Sequence, residues 1–126
     1  MTDRQGVFAA QMTALGLGDK PQSWIGGALV DGAGEIITLV DPFTEQPLAS
    51  YADAGADLAD LACDAAAEAQ KQWSKGLSAA ARGQVMQDIA RAVLDYAEPV
   101  AKLEALVAGK PIRDCRVEVA KVAEMF

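Results

Sequence analysis

The chain has 126 residues, 52% hydrophobic, 23% charged and 6% aromatic, with 11 basic against 18 acidic side chains and a formal net charge of −7. That describes one soluble domain, which at this length buries roughly 65% of the surface its unfolded form exposes and so needs no disulfide or metal to hold a core. No histidine is present, which excludes His-dependent triads, His-ligated zinc and imidazole acid/base catalysis from this chain.

Residues 1–22 form a leader in which Val7, Phe8, Met12 and Leu15 recur near helical spacing before Gly16 and Gly18 stop the helix. Residues 23–52 change to a β pattern. Trp24, Ile25, Leu29 and Val30 form one apolar run and Ile36, Ile37, Leu39 and Val40 a second. The turn-forming Asp31-Gly32-Ala33-Gly34 between them predicts a β-hairpin of Ser23–Val30 against Glu35–Val40. Pro42, which lacks an N–H, ends the second strand, and a short third strand is expected over Leu48–Tyr51.

Residues 53–126 follow a helical period. Leu58, Leu61, Ala62, Ala65, Ala66, Ala69 and Trp73 line one stripe of a helix that Gly76 ends, with Asp57 and Asp60 early and Lys75 late, as the helix dipole favours. Ser78 is suited to cap a second helix striped by Val85, Met86, Ile89, Ala90, Val93, Leu94 and Ala97. Pro99 predicts a break near Glu98 and a short helix over Val100–Ala108 that Gly109 and Pro111 close. A last helix carries Cys115, Val119, Val122, Ala123 and Phe126, and its apolar, uncapped end reads as the edge of a fragment. The fold class expected is an α+β fragment of an α/β enzyme, short antiparallel strands followed by about four amphipathic helices.

Candidate chemistry is sparse. Gly26-Gly27 and Gly32-Ala33-Gly34 read as hairpin turns, because a strand and not a helix follows them and they lack the spacing of a phosphate loop. Cys63, among alanines on its helix with Asp60 and Asp64 beside it, reads as a buried structural thiol. Cys115 has Arg113 and Arg116 as neighbours that favour thiolate but no general base, and it also reads as structural. Asp57, Asp60, Asp64 and Glu68 follow helical spacing and read as a solvated face rather than a metal cluster. Trp24 and Trp73 are expected to anchor either core or interface packing, with the core as the leading reading.

Scattered basic residues, two against six acidic over residues 1–52 and nine against twelve over residues 53–126, argue against a nucleic-acid partner. The amino terminus has no signal-peptide pattern and no apolar run reaches membrane-spanning length. Two cysteines far apart fit a reducing compartment, so a cytoplasmic location is expected.

From Trp24 onward, about four fifths of the chain resembles the amino-terminal region of the NAD(P)-dependent aldehyde dehydrogenase superfamily. The resemblance rests on ordered segments. Trp24-Ile25-Gly26-Gly27 is similar to the family's first strand and Val40-Asp41-Pro42-Phe43-Thr44 to its Val-Asn-Pro-x-Thr. An alanine-rich helix ending in Trp73 comes next, with Leu77-Ser78-Ala79-Ala80-Ala81-Arg82 similar to Leu-Ser-x-x-x-Arg. Leu103-Glu104 ahead of Gly109-Lys110-Pro111 completes the order.

The resemblance implies that the strands belong to an oligomerisation arm, that residues 53–126 pack beside a Rossmann-like cofactor domain, and that the parent is a homo-oligomer, a dimer or tetramer. It implies an aldehyde substrate and NAD or NADP in the complete protein. There, a cysteine thiolate attacks the carbonyl, hydride passes from the thiohemiacetal to the nicotinamide, and water hydrolyses the thioester. The family's catalytic cysteine, glutamate, asparagine and cofactor contacts lie beyond Phe126, so no catalytic or cofactor-binding residue is assigned and the isolated chain is expected to be inactive and to bind no cofactor.

Two positions depart from the family pattern. Glu45 stands where the family often has glycine, which implies a different turn conformation. Some members hold a monovalent cation on backbone carbonyls matching Leu39 and Val40, helped by an acidic side chain whose position is Val107 here. The rival reading, from another class, is a non-catalytic acidic helical interaction module whose hairpin pairs with a partner's edge.

Overall fold

The computed structural model describes residues 3–126. Helix α1 (Arg4–Ala14) is capped by the Asp3 carboxylate, which accepts from the Gly6 N–H at 2.9 Å, and ends at Leu15 with Gly16 in the left-handed region at φ +69°. Phe8 and Met12, one turn apart, are its buried face.

The strands do not pair as the expected hairpin. β1 (Ser23–Ile25) folds back on β2 (Ala28–Val30), with Trp24 opposite Leu29, across Gly26-Gly27. Both glycines have positive φ, 59° and 86°, which a two-residue turn matching strand twist requires and which other residues resist. β3 (Ile36–Val40) pairs instead with β4 (Pro47–Ala52), whose extent covers the expected third strand.

Gly32 and Gly34 serve close approach rather than a hairpin turn. A Cβ at Gly32 would lie 2.1 Å from the Asp53 carbonyl oxygen and one at Gly34 2.9 Å from it, and the Gly34 N–H donates to that same oxygen. The Asp31–Gly34 segment therefore lies against the end of β4. Register slips between Leu39 and Val40, which face Ala49 and Pro47, and Leu48 at this bulge is buried.

Helix α2 (Gly55–Lys71) runs into a π-helical turn at Gln72–Gly76. Helix α3 (Ala79–Asp95) starts where the Ser78 hydroxyl accepts from the Ala81 N–H at 3.1 Å. Helix α4 (Ala97–Ala108) takes Pro99 into its first turn, where a missing N–H costs nothing, so it begins three residues earlier than expected. It ends at Gly109, φ +69°, and Pro111 precedes helix α5 (Ile112–Glu124).

Two small cores hold the molecule. Phe8 and Met12 of α1 meet Leu48 of β4 and Leu106 of α4. Ala101 of α4 meets Cys115 and Val119 of α5, with Val93 of α3 and Ala97 alongside. The small residues at 97, 101 and 105 let α4 and α5 approach closely.

Neither α2 nor α3 has a buried residue. Leu61 on the stripe of α2 is half exposed, and Leu94, Tyr96, Val117, Val122 and Phe126 are exposed as well. A self-contained protein of 13.1 kDa exposes about 6,400 Å², whereas this chain exposes 8457 Å², roughly a third more than that scaling.

Two expectations about side chains are corrected by this packing. Trp24 is 67% exposed, because among the described residues nothing covers that face of the two-stranded ribbon of β1 and β2. Cys63 is exposed, because nothing among the described residues covers its face of α2. Asp57, Asp60, Asp64 and Glu68 face solvent along the same helix.

Candidate functional site

Two of the sequence segments singled out above meet in space. The turn after β3 is built around Asp41, whose side chain is fully buried. Its carboxylate accepts from the Phe43 N–H at 2.9 Å and the Thr44 hydroxyl at 3.0 Å, closing an Asx-type turn, while its backbone accepts from the Glu45 N–H at 2.8 Å. Arg4 of α1 completes the set, donating through Nε to one carboxylate oxygen and through Nη2 at 3.1 Å to the other. The Arg4 guanidinium holds the Asp41 carboxyl below the usual carboxylate range against the opposing effect of burial, with the Phe43 N–H and Thr44 hydroxyl adding to it.

Glu45 takes φ +58°, so the turn keeps a left-handed residue without the glycine that would adopt it freely. Pro42 lies against Gly109 at the end of α4, where an added Cβ would come within 2.9 Å of Pro42 Cγ.

A cleft of 390 Å³ opens beside this junction, lined by Arg4, Phe43, Lys102, Leu106, Lys110 and Ile112 among others. The Arg4 guanidinium stands 5.6 Å from the Phe43 ring centroid. Each cation of the cleft has a carboxylate partner. Lys110 Nζ donates to Glu104 at 2.6 Å and to Glu118, which together raise its pKa, and Lys102 pairs with Glu98 at 3.4 Å. Arg116 of α5 grips Glu98 of α4 in bidentate fashion at 2.9 and 2.7 Å and pulls the Glu98 pKa down to about 2.

Leu39, one of the two residues matched to cation-binding carbonyls, lines a second cleft of 280 Å³ together with Val107, Leu29, Leu103 and Lys20. This cleft brings position 107 beside Leu39, but position 107 supplies a valine and the lining includes an ammonium group and no carboxylate. Among the described residues no group of three or more His, Cys, Asp and Glu side chains is placed to hold a metal ion.

The cysteines carry no catalytic arrangement. Cys115 is buried, and burial pushes its thiol pKa up, with Glu104 adding to the effect. Its two arginine neighbours do not reverse this, since Arg116 is engaged with Glu98 and the Arg113 side chain faces solvent and Asp114. The strand-to-helix junction from β4 to α2 carries the single glycine Gly55, between Asp53 and Asp57, whose charges would repel a pyrophosphate.

Sequence reasoning places Asp41 in the Val40–Thr44 segment but assigns no role to it or to Arg4. An Asp ahead of Pro and four residues before a position with positive φ is a readable turn signal, but nothing local points to an arginine 37 positions away.

Comparison with known proteins bears on the whole arrangement. Residues 29–126 match the model of the aldehyde dehydrogenase family. A (Z)-2-((N-methylformamido)methylene)-5-hydroxybutyrolactone dehydrogenase of Acinetobacter baylyi is 35% identical over 107 residues, 83% of this chain and 22% of the relative. The crystal structure of HpcC from Thermus thermophilus superposes with a TM-score of 0.81 at 30% identity, over 94% of this chain and 23% of that one. Betaine aldehyde dehydrogenase of Staphylococcus aureus, solved in complex with NAD+, shares the fold at a TM-score of 0.80 and 21% identity, over 97% of this chain and 24% of that one. The chain thus spans about a fifth to a quarter of the length of the proteins it matches. With its strand pairs, helices and motif segments all in the family's order, the chain belongs to the aldehyde dehydrogenase family.

Proposed function

We propose that this chain is the amino-terminal part of an enzyme that oxidises an aldehyde to a carboxylic acid with NAD+ or NADP+ as hydride acceptor. The observation that carries the reading is the ordered family match over residues 29–126, and the NAD+ complex of a protein with the same fold supports the choice of cofactor. The chain's own contribution is structural. Its helices present apolar faces to the cofactor-binding and catalytic parts of the longer protein, and its strand pairs present theirs to a second subunit of a homo-oligomer.

Surface accounting supports that role. Exposed apolar residues include Leu61 of α2 and Leu94 of α3, helices with no fully buried residue, and Trp24, Ile36 and Val40 on the strands. A self-sufficient interaction module would have sealed most of this surface. Neither cysteine serves as the nucleophile in this reading, one being buried with a raised pKa and the other alone on a helix surface.

The test is an assay of the protein encoded by the whole reading frame that contains this chain. Aldehyde-dependent reduction of NAD+ or NADP+ by that protein, with none from the 126-residue chain, is the expected result. Turnover by the chain alone, or a full-length protein inert toward every class of aldehyde, would overturn the proposal.

A further inference from the structure

Helix α1 lies outside the residues matched by the family model, yet it touches the Asp41–Pro47 turn at several points. Arg4 engages the Asp41 carboxylate from one side and stands over the Phe43 ring, and the Gln5 side chain donates to the Pro47 carbonyl at 2.7 Å on the other side. Between these grips the turn holds a buried carboxylate and a non-glycine residue at φ +58°. Both are costly states that persist only where surroundings over-determine them.

We propose that α1 is a clasp that locks the Asp41–Pro47 turn, with Arg4 as the positioning residue that makes its buried carboxylate tolerable and so fixes where Pro42 and Phe43 stand. Phe8 and Met12 seat the clasp against Leu48 and Leu106, and Arg4 and Gln5 extend from the same helix to both ends of the turn. Arg4 and Val7 also form part of the wall of the 390 Å³ cleft, with Phe43 on the turn as another part. Release of α1 therefore frees the turn and opens the cleft together. The device couples a leader segment to one of the segments by which the chain is recognised as a family member.

Amide hydrogen exchange on the 126-residue chain, resolved by residue, tests this. Phe43 and Glu45 are the reporters, because their N–H groups donate to the Asp41 side chain and backbone. Arg4→Met is expected to speed exchange at both amides on the order of ten-fold, with α3 and α5 unchanged. Arg4→Lys, which keeps the charge but loses the fork, is expected to restore part of the protection.

In the Asp41→Asn background, Arg4→Met is expected to add little, because the pair acts as a unit. Unchanged exchange at the two reporters, an equal rise throughout α3 and α5, or full additivity of the two substitutions would each overturn the proposal.

Discussion

Gly109→Ala measures how tightly the end of α4 is pressed against the turn that holds Asp41. Gly109 sits at φ +69°, where a Cβ costs about 1–2 kcal/mol through its clash with the following carbonyl. The new Cβ would also lie 2.9 Å from Pro42 Cγ and 3.4 Å from Pro42 Cβ, and overpacking of this kind adds about 1–3 kcal/mol when the neighbour cannot move. Pro42 is poorly placed to move, because Asp41 just before it is held by Arg4, Phe43 and Thr44.

The expected loss is therefore about 2–5 kcal/mol, read as a lower denaturant midpoint with unchanged slope in urea unfolding. Gly16→Ala is the matched control. It has the same φ of +69° but no atom within 4 Å of the added Cβ, so only the backbone cost of about 1–2 kcal/mol applies. Adding Pro42→Ala to Gly109→Ala removes the Cγ and should recover the difference between the two glycine variants. Equal losses for Gly109→Ala and Gly16→Ala would refute the claim that the turn presses on the helix terminus.

Glu45→Gly relieves a left-handed residue while adding freedom to the unfolded chain, so unfolding should show a change from nil to a gain of about 1 kcal/mol; a clear loss would mean that the Glu45 side chain makes a stabilising contact. Phe8→Ala empties the first core where α1 meets β4 and α4, and thermal or urea unfolding should register a loss of about 3–5 kcal/mol. Thiol labelling under native conditions should modify Cys63 rapidly and Cys115 only at the rate of unfolding, because one is exposed and the other buried. The Glu98–Arg116 pair lowers the Glu98 pKa from 4.5 to about 2, so its stabilisation is complete above pH 4.5 and fades as pH falls through about 2. An acid titration followed by circular dichroism should accordingly lose less stability across that window in Arg116→Gln than in the parent chain.

Local chemistry made the helices legible. Ser78 marks the start of α3 and Gly109 the end of α4, because a hydroxyl at an N-cap and a residue with φ above zero at a helix end are needs met within a few residues. Strand pairing was not legible in the same way. Both Gly26-Gly27 and Asp31–Gly34 are turn chemistry, and choosing between them needs the position of Asp53, whose backbone occupies the space that Cβ atoms at 32 and 34 would fill.

Burial along α2 was misjudged for a related reason. A helical stripe tells which side is apolar, not whether anything covers it, and Cys63 and Leu61 are exposed on a helix with no fully buried residue. The Arg4–Asp41 pair depends on folding across 37 positions, which no periodicity records. The family order, by contrast, was fully readable, since it resides in short segments whose spacing survives in the linear chain.

The central claim is that this chain carries apolar surface meant for the rest of a larger enzyme. Hydrophobic-dye fluorescence during thermal unfolding of the purified chain tests it most directly. Dye uptake already under native conditions, before the unfolding transition, is the predicted result. A chain that takes up no dye until one sharp cooperative transition would contradict the claim.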